Sequence, residues 1–288
     1  MSLSFTNKRT VFSLEVFPPK DSVALQSIYD NMAKFAALNP DFISVTYGAG
    51  GSFVGASVEI ASFIKNRFNI TPVAHLTCAG SSRSDIDNAL ARFKENGIAH
   101  ILALRGDLKE GRGVSDFIYA SDLIKYIVEN SDFAVSAACY PEGHLESPDN
   151  AFDFEVLKIK YGLGVRHFIS QLFFDNGDFY DMAEKARAEG MADAKFEAGI
   201  MPITNAKQIL RTVGISGAKL PAKLTKMISR YENNPQALRQ AGMNYAIEQI
   251  SDLITNGADG IHLYAMNNPL TSSEIYRSIE PMLGEVNK

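Results

Sequence analysis

The segment TVFSLEV, residues 10–16, decides the fold because its side chains alternate in character. Phe12, Leu14 and Val16 share one parity, whereas Ser13 and Glu15 share the other. Successive side chains of a β-strand point to opposite faces, so this alternation predicts a strand with one apolar and one polar face.

Working outward from this segment, seven more strand-like runs follow, at first about thirty residues apart, the length of one βαβ unit. The eight predicted strands are Thr10–Val16, Asp41–Tyr47, Pro72–Thr77, His100–Leu104, Phe133–Tyr140, Arg166–Phe173, Lys195–Ile200 and Gly260–Tyr264. Helix-periodic segments lie between them at 21–38, 56–68, 83–96, 116–129, 149–162, 178–190 and 204–213. Two extra helices, 221–231 and 236–256, precede the eighth strand, and a last helix covers 271–282.

Successive βα units of this kind predict an α/β fold, a closed (β/α)₈ TIM barrel with extra helices before the eighth strand. An open doubly wound sheet is the alternative. No linker, low-complexity tract or internal repeat interrupts the sequence, so we expect one catalytic domain over residues 1–288. Ser147-Pro148 has the pattern of a helix N-terminus, with a capping hydroxyl before a proline.

The composition excludes several classes of protein. The 288 residues are 46% hydrophobic, and 28 basic against 33 acidic side chains give a net charge of −5. This weak acidity argues against nucleic acid or an anionic membrane as a partner. Cys78 and Cys139 form no disulfide framework, no apolar run is long enough to span a membrane, and the N-terminus lacks a signal-peptide core. We therefore expect a cytoplasmic protein.

Common metal and nucleotide motifs are missing from the sequence. It contains no HxH, HExxH or GxxxxGK[ST], and the glycine runs at 48–51 and 111–113 lack the third glycine of GxGxxG. We predict no metal site. A nucleotide would have to bind through loops and side chains at the barrel mouth.

Polar residues gather toward the carboxyl ends of the predicted strands, which form the catalytic face of such a barrel. They include Ser44, Thr46, His75, Thr77, Arg105, Asp107, Ser136, Tyr140, Gln171, His262 and Tyr264. A single polar strand end is unremarkable, because loops are polar anyway. Polar residues at the ends of six strands, together with a lumen-facing glutamate, predict an active site.

Glu15 is the first candidate residue. Burial raises the pKa of a carboxyl group, so a carboxylate in the lumen is suited to act as a general acid near neutral pH. The alternative is a buried ion pair with Arg105. Asp107 is a second candidate acid, with a turn-capping role as its alternative, and the isolated His75 fits a core histidine better than a metal ligand.

The helix predicted at 149–162 carries a further clue. Asp153 and Lys160 are seven residues apart and therefore lie on one helix face, with Val156 and Leu157 between them. Such charges are suited to contact a ligand at the barrel mouth. The alternative is an ordinary helix border, on which the helix dipole favours Lys160 near the C-terminal end.

Strings of residues at successive strand ends carry a resemblance to a known family. In order they are SLEVFPPK at 13–20, DFISVTYGAGGS at 41–52, AHLTCAG at 74–80, ALRGD at 103–107, YASDLI at 119–124, AACYPEGH at 137–144, SQLFFD at 170–175 and GIMPI at 199–203. Together they resemble the bacterial methylenetetrahydrofolate reductases over nearly the whole chain. The resemblance implies a short form without the adenosylmethionine-binding regulatory domain of longer relatives.

The resemblance also implies an activity and its cofactors. It implies non-covalent FAD, reduced by NADH or NADPH, and reduction of 5,10-methylenetetrahydrofolate to 5-methyltetrahydrofolate by a ping-pong hydride transfer. Glu15 matches the acid that protonates folate N10, and Asp107 matches a carboxylate that holds the pterin and tunes the flavin. Substrate contacts are further implied for Gln171, Gln208 and Tyr264.

The flavin contacts implied by the resemblance are more numerous. Arg105, His144 and Lys160 would serve the pyrophosphate, and Asp153 the adenosine ribose. The complete set is Thr46, His75, Arg105, Gly106, Asp107, Tyr119, Ala120, Ala138, Tyr140, His144, Asp153 and Lys160.

Three residues depart from the family pattern. Thr212 stands where a phenylalanine stacks on the nicotinamide cofactor, and Met266 and Asn268 stand where leucine and arginine are found. The choice among NADH, NADPH and another reductant is therefore open. Three other classes also stay open: a flavin barrel oxidising an amino acid, a non-redox pterin-dependent one-carbon transferase, and a barrel that only binds within an assembly. We further expect a homo-oligomer.

Overall fold

The computed structural model describes residues 8–19, 25–47, 54–107 and 115–288. The predicted start of the first helix at 21–24 and the glycine runs at 48–51 and 111–113 lie outside the described residues. The strands are β1 (Val11–Val16), β2 (Phe42–Val45), β3 (Thr71–Thr77), β4 (His100–Leu104), β5 (Ala134–Cys139), β6 (His167–Ser170), β7 (Lys195–Ile200) and β8 (Gly260–Tyr264). The helices are α1 (Leu25–Ala36), α2 (Val54–Phe68), α3 (Arg83–Glu95), α4 (Ala120–Asn130), α5 (Asn150–Gly162), α6 (Asn176–Ala188), α7 (Ala206–Ser216), α8 (Ala222–Tyr231), α9 (Pro235–Thr255) and α10 (Pro269–Val286).

The strands form a closed parallel barrel in sequence order, with β1 paired to both β2 and β8. Glu15 lies in register with Ser44 on one side and Tyr264 on the other. The (β/α)₈ prediction is therefore confirmed, including α8 and α9 before β8, and the open sheet is wrong. The one-domain prediction stays a prediction.

The alternation in β1 sorts its side chains between two environments. Phe12, Leu14 and Val16 pack in the main core between the barrel and its helices. Val11 joins a separate apolar cluster in the lumen with Phe42, Val73, Leu102, Ala134 and Ile169. Buried polar side chains share the lumen with this cluster, namely Ser13, Ser44, His75, Ser136, His167, Glu197 and His262.

The start of α5 differs from the sequence prediction. The N-cap is Asp149, whose side chain accepts a hydrogen bond from the Phe152 amide, so Ser147-Pro148 lies before the helix. Ser147 instead donates to Asp153 Oδ1 at 2.6 Å. The predicted cap at Ser147 is therefore wrong, because its hydroxyl is engaged by Asp153 and Asp149 caps the helix instead.

Other helix and strand ends move by a few residues, as is usual for such boundaries. The fourth helix starts at Ala120 rather than 116, because Asp122 accepts hydrogen bonds from the amides of Ile118 and Tyr119 and caps it there. The sixth strand ends at Ser170 rather than 173. Among the described residues, none of the helices is both long and apolar enough to cross a bilayer.

Candidate active site

A cavity of about 1260 Å³ opens at the carboxyl ends of the strands and extends over β4, β5 and the start of α5. Glu15 and Tyr264 line its lumen end, whereas Phe152 and Ile215 line its outer end. The structure brings fourteen of the predicted site residues to this cavity: Glu15, His75, Arg105, Gly106, Asp107, Tyr119, Ala120, Ala138, Tyr140, His144, Asp153, Lys160, Gln171 and Tyr264.

Glu15 lies at the lumen end of the cavity between two histidines. Its Oε2 is 3.5 Å from His75 Nε2 and 3.6 Å from His262 Nε2, and its side chain is 18% exposed. The alternative of an ion pair with Arg105 is wrong, because Arg105 Nη1 contacts Glu146 Oε2 at 2.5 Å. The Glu15 carboxylate thus lines the cavity and, among the described residues, forms no ion pair with an arginine.

The expected rise in the pKa of Glu15 is also wrong. Burial raises this pKa, but the hydrogen bond from His262 and the charges of His75 and His262 outweigh burial, and the net shift is downward. Burial lowers the pKa of His75 to about 4 despite the nearby Glu15 charge, so His75 is neutral near pH 7. Burial of Glu15 could be predicted from its own strand. Its contacts with His75 and His262 could not, because these histidines lie on β3 and β8, far from Glu15 in the sequence.

Tyr264 and Gln171 form the wall of the cavity near Glu15. The Tyr264 hydroxyl donates to the Ser170 carbonyl at 2.8 Å, and burial raises the tyrosine pKa well above its ordinary value. A Cβ at Gly199 would collide with the Ser170 carbonyl and the Tyr264 hydroxyl, so only glycine fits there. Gln171 Oε1 accepts from the Leu172 amide at 2.9 Å, which leaves the Gln171 amide group as a donor for substrate.

The segment after β4 forms the middle of the cavity wall. Gly106 has φ of +82°, and a Cβ on it would lie 2.9 Å from Thr77 Cβ, so the sharp turn between Arg105 and Asp107 requires glycine. Asp107 is exposed at the cavity and Arg105 is half-buried. A cation and a carboxylate are thereby presented side by side to one ligand.

Asp153 and Lys160 both line the outer cavity, as the helix-face argument predicted. Asp153 Oδ2 accepts from the His144 amide at 2.6 Å and so braces the loop before α5. Lys160 is 6% exposed, and its Nζ donates to the Ala138 carbonyl at 2.8 Å. Burial lowers the pKa of Lys160 to about 8. Burial distinguishes Lys160 from a solvated residue at a helix border, and its place in the last turn of α5 suits the helix dipole as well.

The cavity fits a dinucleotide cofactor in size and chemistry. Pockets for drug-sized ligands hold about 300–1,000 Å³, and this cavity of about 1260 Å³ is larger. Arg105, Lys160 and Lys185 supply positive charge along its length. His75 Nε2 is buried and has no hydrogen-bond partner among the described residues, so the site contains a polar atom that a ligand could satisfy.

Two predicted site residues are not brought to the cavity lining. Thr46 follows β2, where its amide donates to the Val16 carbonyl. Gln208 lies in the first turn of α7, where its amide donates to Asn205 Oδ1. Neither lines the cavity beside Glu15.

The three residues that depart from the family pattern lie on α7 and in the turn between β8 and α10. Thr212 is on α7, and Met266 adopts a left-handed turn with φ of +49°. Asn268 caps α10 by accepting a hydrogen bond from the Thr271 amide.

Sequence reasoning missed Glu197 and His167, which are buried in the lumen with their side chains in contact. The available signal was parity, because KFEAGI at 195–200 places Glu197 on alternate positions from Phe196 and Ala198. Across the described residues, no group of three or more histidine, cysteine or acidic side chains is arranged to hold a metal ion.

The fold and site define a class of protein: a (β/α)₈-barrel enzyme with a lumen carboxylate below a large cofactor-sized cavity. The family model for methylenetetrahydrofolate reductase matches residues 1–280. The chain is 32% identical over 278 residues to 5,10-methylenetetrahydrofolate reductase of Pectobacterium carotovorum, covering 96% of this chain and 93% of that protein.

Longer relatives match over the same region. A probable methylenetetrahydrofolate reductase (NADH) of Oryza sativa is 34% identical over 275 residues, which is 90% of this chain and 46% of the rice protein. Among solved structures, an uncharacterised Clostridium thermocellum protein that binds two copies of 5-methyl-5,6,7,8-tetrahydrofolic acid superposes with a TM-score of 0.62. Its identity is 11%, with 96% of this chain and 95% of that chain covered, so this likeness supports the fold alone.

The chain belongs to the methylenetetrahydrofolate reductase family. The bacterial relatives that it covers almost end to end are named 5,10-methylenetetrahydrofolate reductase.

Proposed function

We propose that the protein reduces 5,10-methylenetetrahydrofolate to 5-methyltetrahydrofolate, using non-covalent FAD with NADH or NADPH as the electron donor. The observation that carries the proposal is the shared cavity, which has the Glu15 carboxylate at its lumen end and the cations Arg105 and Lys160 farther out. When bound, FAD would accept a hydride from one substrate and pass it to the next. Reduction at the folate also needs a proton donor, and Glu15 occupies that place.

Each residue along the cavity has a definite task in this proposal. Arg105, His144 and Lys160 bind the pyrophosphate of the cofactor, since charged donors form strong bonds to phosphate oxygens. Asp153 holds the loop that carries His144 and faces the adenosine ribose. The remaining flavin contacts proposed from the cavity lining are His75, Gly106, Asp107, Tyr119, Ala120, Ala138 and Tyr140.

The folate substrate lies at the lumen end in this proposal. Glu15 donates a proton to folate N10 as the five-membered ring opens. Asp107 accepts hydrogen bonds from the pterin, and Gln171 and Tyr264 complete the wall around the substrate. A neutral His75 beside Glu15 adds no charge to the site near pH 7.

The proposal extends to the setting of the enzyme. We place it in the cytoplasm as a homo-oligomer whose partners are the folate and the nicotinamide donor. Its weak net charge of −5 is consistent with small-molecule substrates rather than with nucleic acid.

The test is performed on the freshly purified protein. We expect a yellow protein that releases FAD on denaturation, and its reduced form should be reoxidised by 5,10-methylenetetrahydrofolate. Finding FMN or no flavin would overturn the cofactor assignment. Reoxidation by an amino-acid-derived imine but not by the folate would favour the amino-acid dehydrogenase, and folate turnover without flavin would favour the one-carbon transferase.

A further inference from the structure

The lumen contains a continuous chain of polar contacts that leads from the buried interior to Glu15. Glu197 Oε2 lies 2.6 Å from Ser13 Oγ, and Ser13 Oγ lies 2.6 Å from His262 Nδ1. His262 Nε2 in turn lies 3.6 Å from Glu15 Oε2. Ser13, Glu197 and His262 are each at most 1% exposed, so water does not compete for these contacts.

A second arm of contacts leaves Glu197 in the opposite direction. Glu197 Oε1 lies 2.6 Å from His167 Nε2, and His167 Nδ1 lies 2.8 Å from Ser136 Oγ. This arm leads to Ser136 on β5, whereas Glu15 lies on β1. It therefore offers a matched control, because Ser13 and Ser136 are both fully buried serines that contact a lumen histidine.

The chemistry of the donors fixes the direction of each bond. An ionised carboxylate only accepts hydrogen bonds, so Ser13 donates its single hydroxyl proton to Glu197. Ser13 must then accept from His262, which places a proton on His262 Nδ1. The tautomer of a histidine is set by the bond that its other nitrogen makes, so Nε2 is the atom that faces Glu15 Oε2 at 3.6 Å, with Ser44 Oγ at 3.4 Å beside it.

The fold makes room for this arrangement. A Cβ at Gly260 would lie 2.6 Å from Glu197 Cγ and 3.2 Å from Val11 Cβ, so glycine at the start of β8 lets the Glu197 side chain cross the lumen. Phe42 stacks on the His262 ring, with centroids 5.9 Å apart, and this contact restricts the orientation of the imidazole.

We infer that Glu197, acting through Ser13, positions His262 so that His262 Nε2 resupplies the proton that Glu15 gives to the substrate. The inference rests on the proposed role of Glu15 as the acid. One proton moves from His262 Nε2 to Glu15 Oε2 as Glu15 protonates the folate nitrogen. The imidazolium becomes neutral imidazole, and it is reprotonated from solvent through Glu15 once the product leaves the cavity.

A proton supply is needed because Glu15 does not retain a proton through burial. Its pKa lies below the ordinary value, since its histidine contacts outweigh the effect of burial. Among the described residues, the ionisable groups that face His262 are Glu15 on β1, His75 on β3 and Tyr264 on β8. Glu197 on β7 reaches it through Ser13, and His167 on β6 contacts Glu197.

The first test is nuclear magnetic resonance of the protein labelled with ¹⁵N-histidine, which needs no substrate. The chain has five histidines, so single substitutions assign their signals. We expect His262 to carry a proton on Nδ1 at all pH values and to gain or lose one at Nε2. In the Glu197→Gln and Ser13→Ala variants, neutral His262 should no longer be protonated mainly on Nδ1. A wild-type His262 protonated on Nε2 alone would overturn the inference.

The second test compares Ser13→Ala with Ser136→Ala in the folate half-reaction, with melting temperatures measured for both. We expect Ser13→Ala to slow proton-dependent reoxidation by at least about tenfold, the lower part of the range for a lost acid–base contribution. The pH–rate profiles of both variants are recorded beside that of the wild type, and only the profile of Ser13→Ala should change. Ser136→Ala should stay near the wild-type rate and profile.

The outcomes separate this inference from the proposed function. Equal slowing in both serine variants, or no slowing in Ser13→Ala, would show a structural role and overturn the relay. If the wild-type protein failed to reduce the folate, the proposed function would fail, and the tautomer of His262 would still decide whether Glu197 positions it. If Glu197→Gln did not fold, Ser13→Ala would supply the same comparison.

Discussion

At the scale of single residues, the active site depends on which groups surround Glu15. Among the described residues, its carboxylate lies next to His75 and His262. The hydrogen bond from His262 and the charges of both histidines hold the pKa of Glu15 below its ordinary value despite burial. Arg105, the cation that sequence parity offered as a partner, is held by Glu146 on the loop before α5 instead.

Replacing Glu15 by glutamine separates the two half-reactions. The side chain keeps its size and loses its acid, so reoxidation by 5,10-methylenetetrahydrofolate should fall by at least about a hundredfold. Reduction by the nicotinamide donor needs no proton at the folate and should change by less than about tenfold, or roughly 1.4 kcal/mol. Rapid-mixing absorbance of each half-reaction measures both. Equal slowing of the two halves would make Glu15 a structural residue.

Asp107 is expected to act on the cofactor through its charge. A nearby carboxylate disfavours further negative charge on the bound ring and so lowers its reduction potential. Asp107→Asn should therefore raise the potential and weaken folate binding. A spectroscopic redox titration and a folate binding isotherm measure the two effects, and no change in either would remove Asp107 from the site.

Arg105 is expected to hold the cofactor phosphates. Arg105→Ala should weaken FAD retention, because an arginine–phosphate pair is a strong charge-assisted contact. The matched control is Arg239→Ala, which removes an arginine paired with Glu274 at 3.0 Å between α9 and α10. Flavin content after gel filtration should fall in the first variant only. If both variants retained the same amount of FAD, Arg105 would not be the residue that binds the cofactor phosphates.

At the scale of elements, α9 supports the cavity wall from behind. The Tyr245 hydroxyl donates to the Phe174 carbonyl at 2.6 Å, and Gln249 Nε2 donates to the Phe173 carbonyl at 3.1 Å. These bonds hold the segment that follows β6 and begins with Gln171. The long helix before β8 therefore contributes to the position of a substrate contact that lies far from it in sequence.

Gly242 shows how closely α9 approaches the barrel. A Cβ there would collide with the Ile203 carbonyl, so Gly242→Ala should destabilise the protein by about 1–3 kcal/mol through overpacking. Gly284 on α10 has open space around its Cα, and Gly284→Ala should stabilise by about 0.5–1 kcal/mol. Denaturant unfolding of both variants gives the comparison. The same sign of change in both would contradict the close approach.

At the scale of the whole molecule, buried histidines make stability depend on pH. Burial lowers the pKa of His75 and of His100 to about 4 from an ordinary value of 6.5. Between these values the unfolded chain binds protons that the folded chain does not, so stability falls as the pH drops from 6.5 toward 4. Glu15, whose pKa is lowered, adds its own loss of stability only below about 4.5.

His75→Gln removes one of these buried groups. We expect its free energy of unfolding to decline less steeply than that of the wild type between pH 6.5 and 4. Denaturant unfolding at a series of pH values measures the slope. His100→Gln should reduce the slope by a similar amount, independently of His75. If the slope were unchanged in both variants, other groups would cause the loss of stability at acid pH.

The sequence by itself determined the barrel, because alternation within strands and helix periodicity between them are local signals. TVFSLEV already assigned Phe12 to the helix layer and Glu15 to the lumen, and the strand ends already indicated which edge carries chemistry. Arg105, Gln171 and Tyr264 were placed at the cavity for the same reason, whereas Tyr119 and His144 were named only from the resemblance. In a parallel barrel, all strands end at one mouth, and knowing that a strand ends suffices to place a residue there.

Only the tertiary structure decided which side chains meet. Arg105 turned out to contact Glu146, and Glu15 turned out to lie between His75 and His262, so its pKa moves down rather than up. The contact of Glu197 with Ser13 joins residues 184 positions apart in sequence. Parity places a residue in the lumen, but lumen contacts depend on the stagger of eight strands around a closed barrel, and that stagger is set by packing over the whole chain.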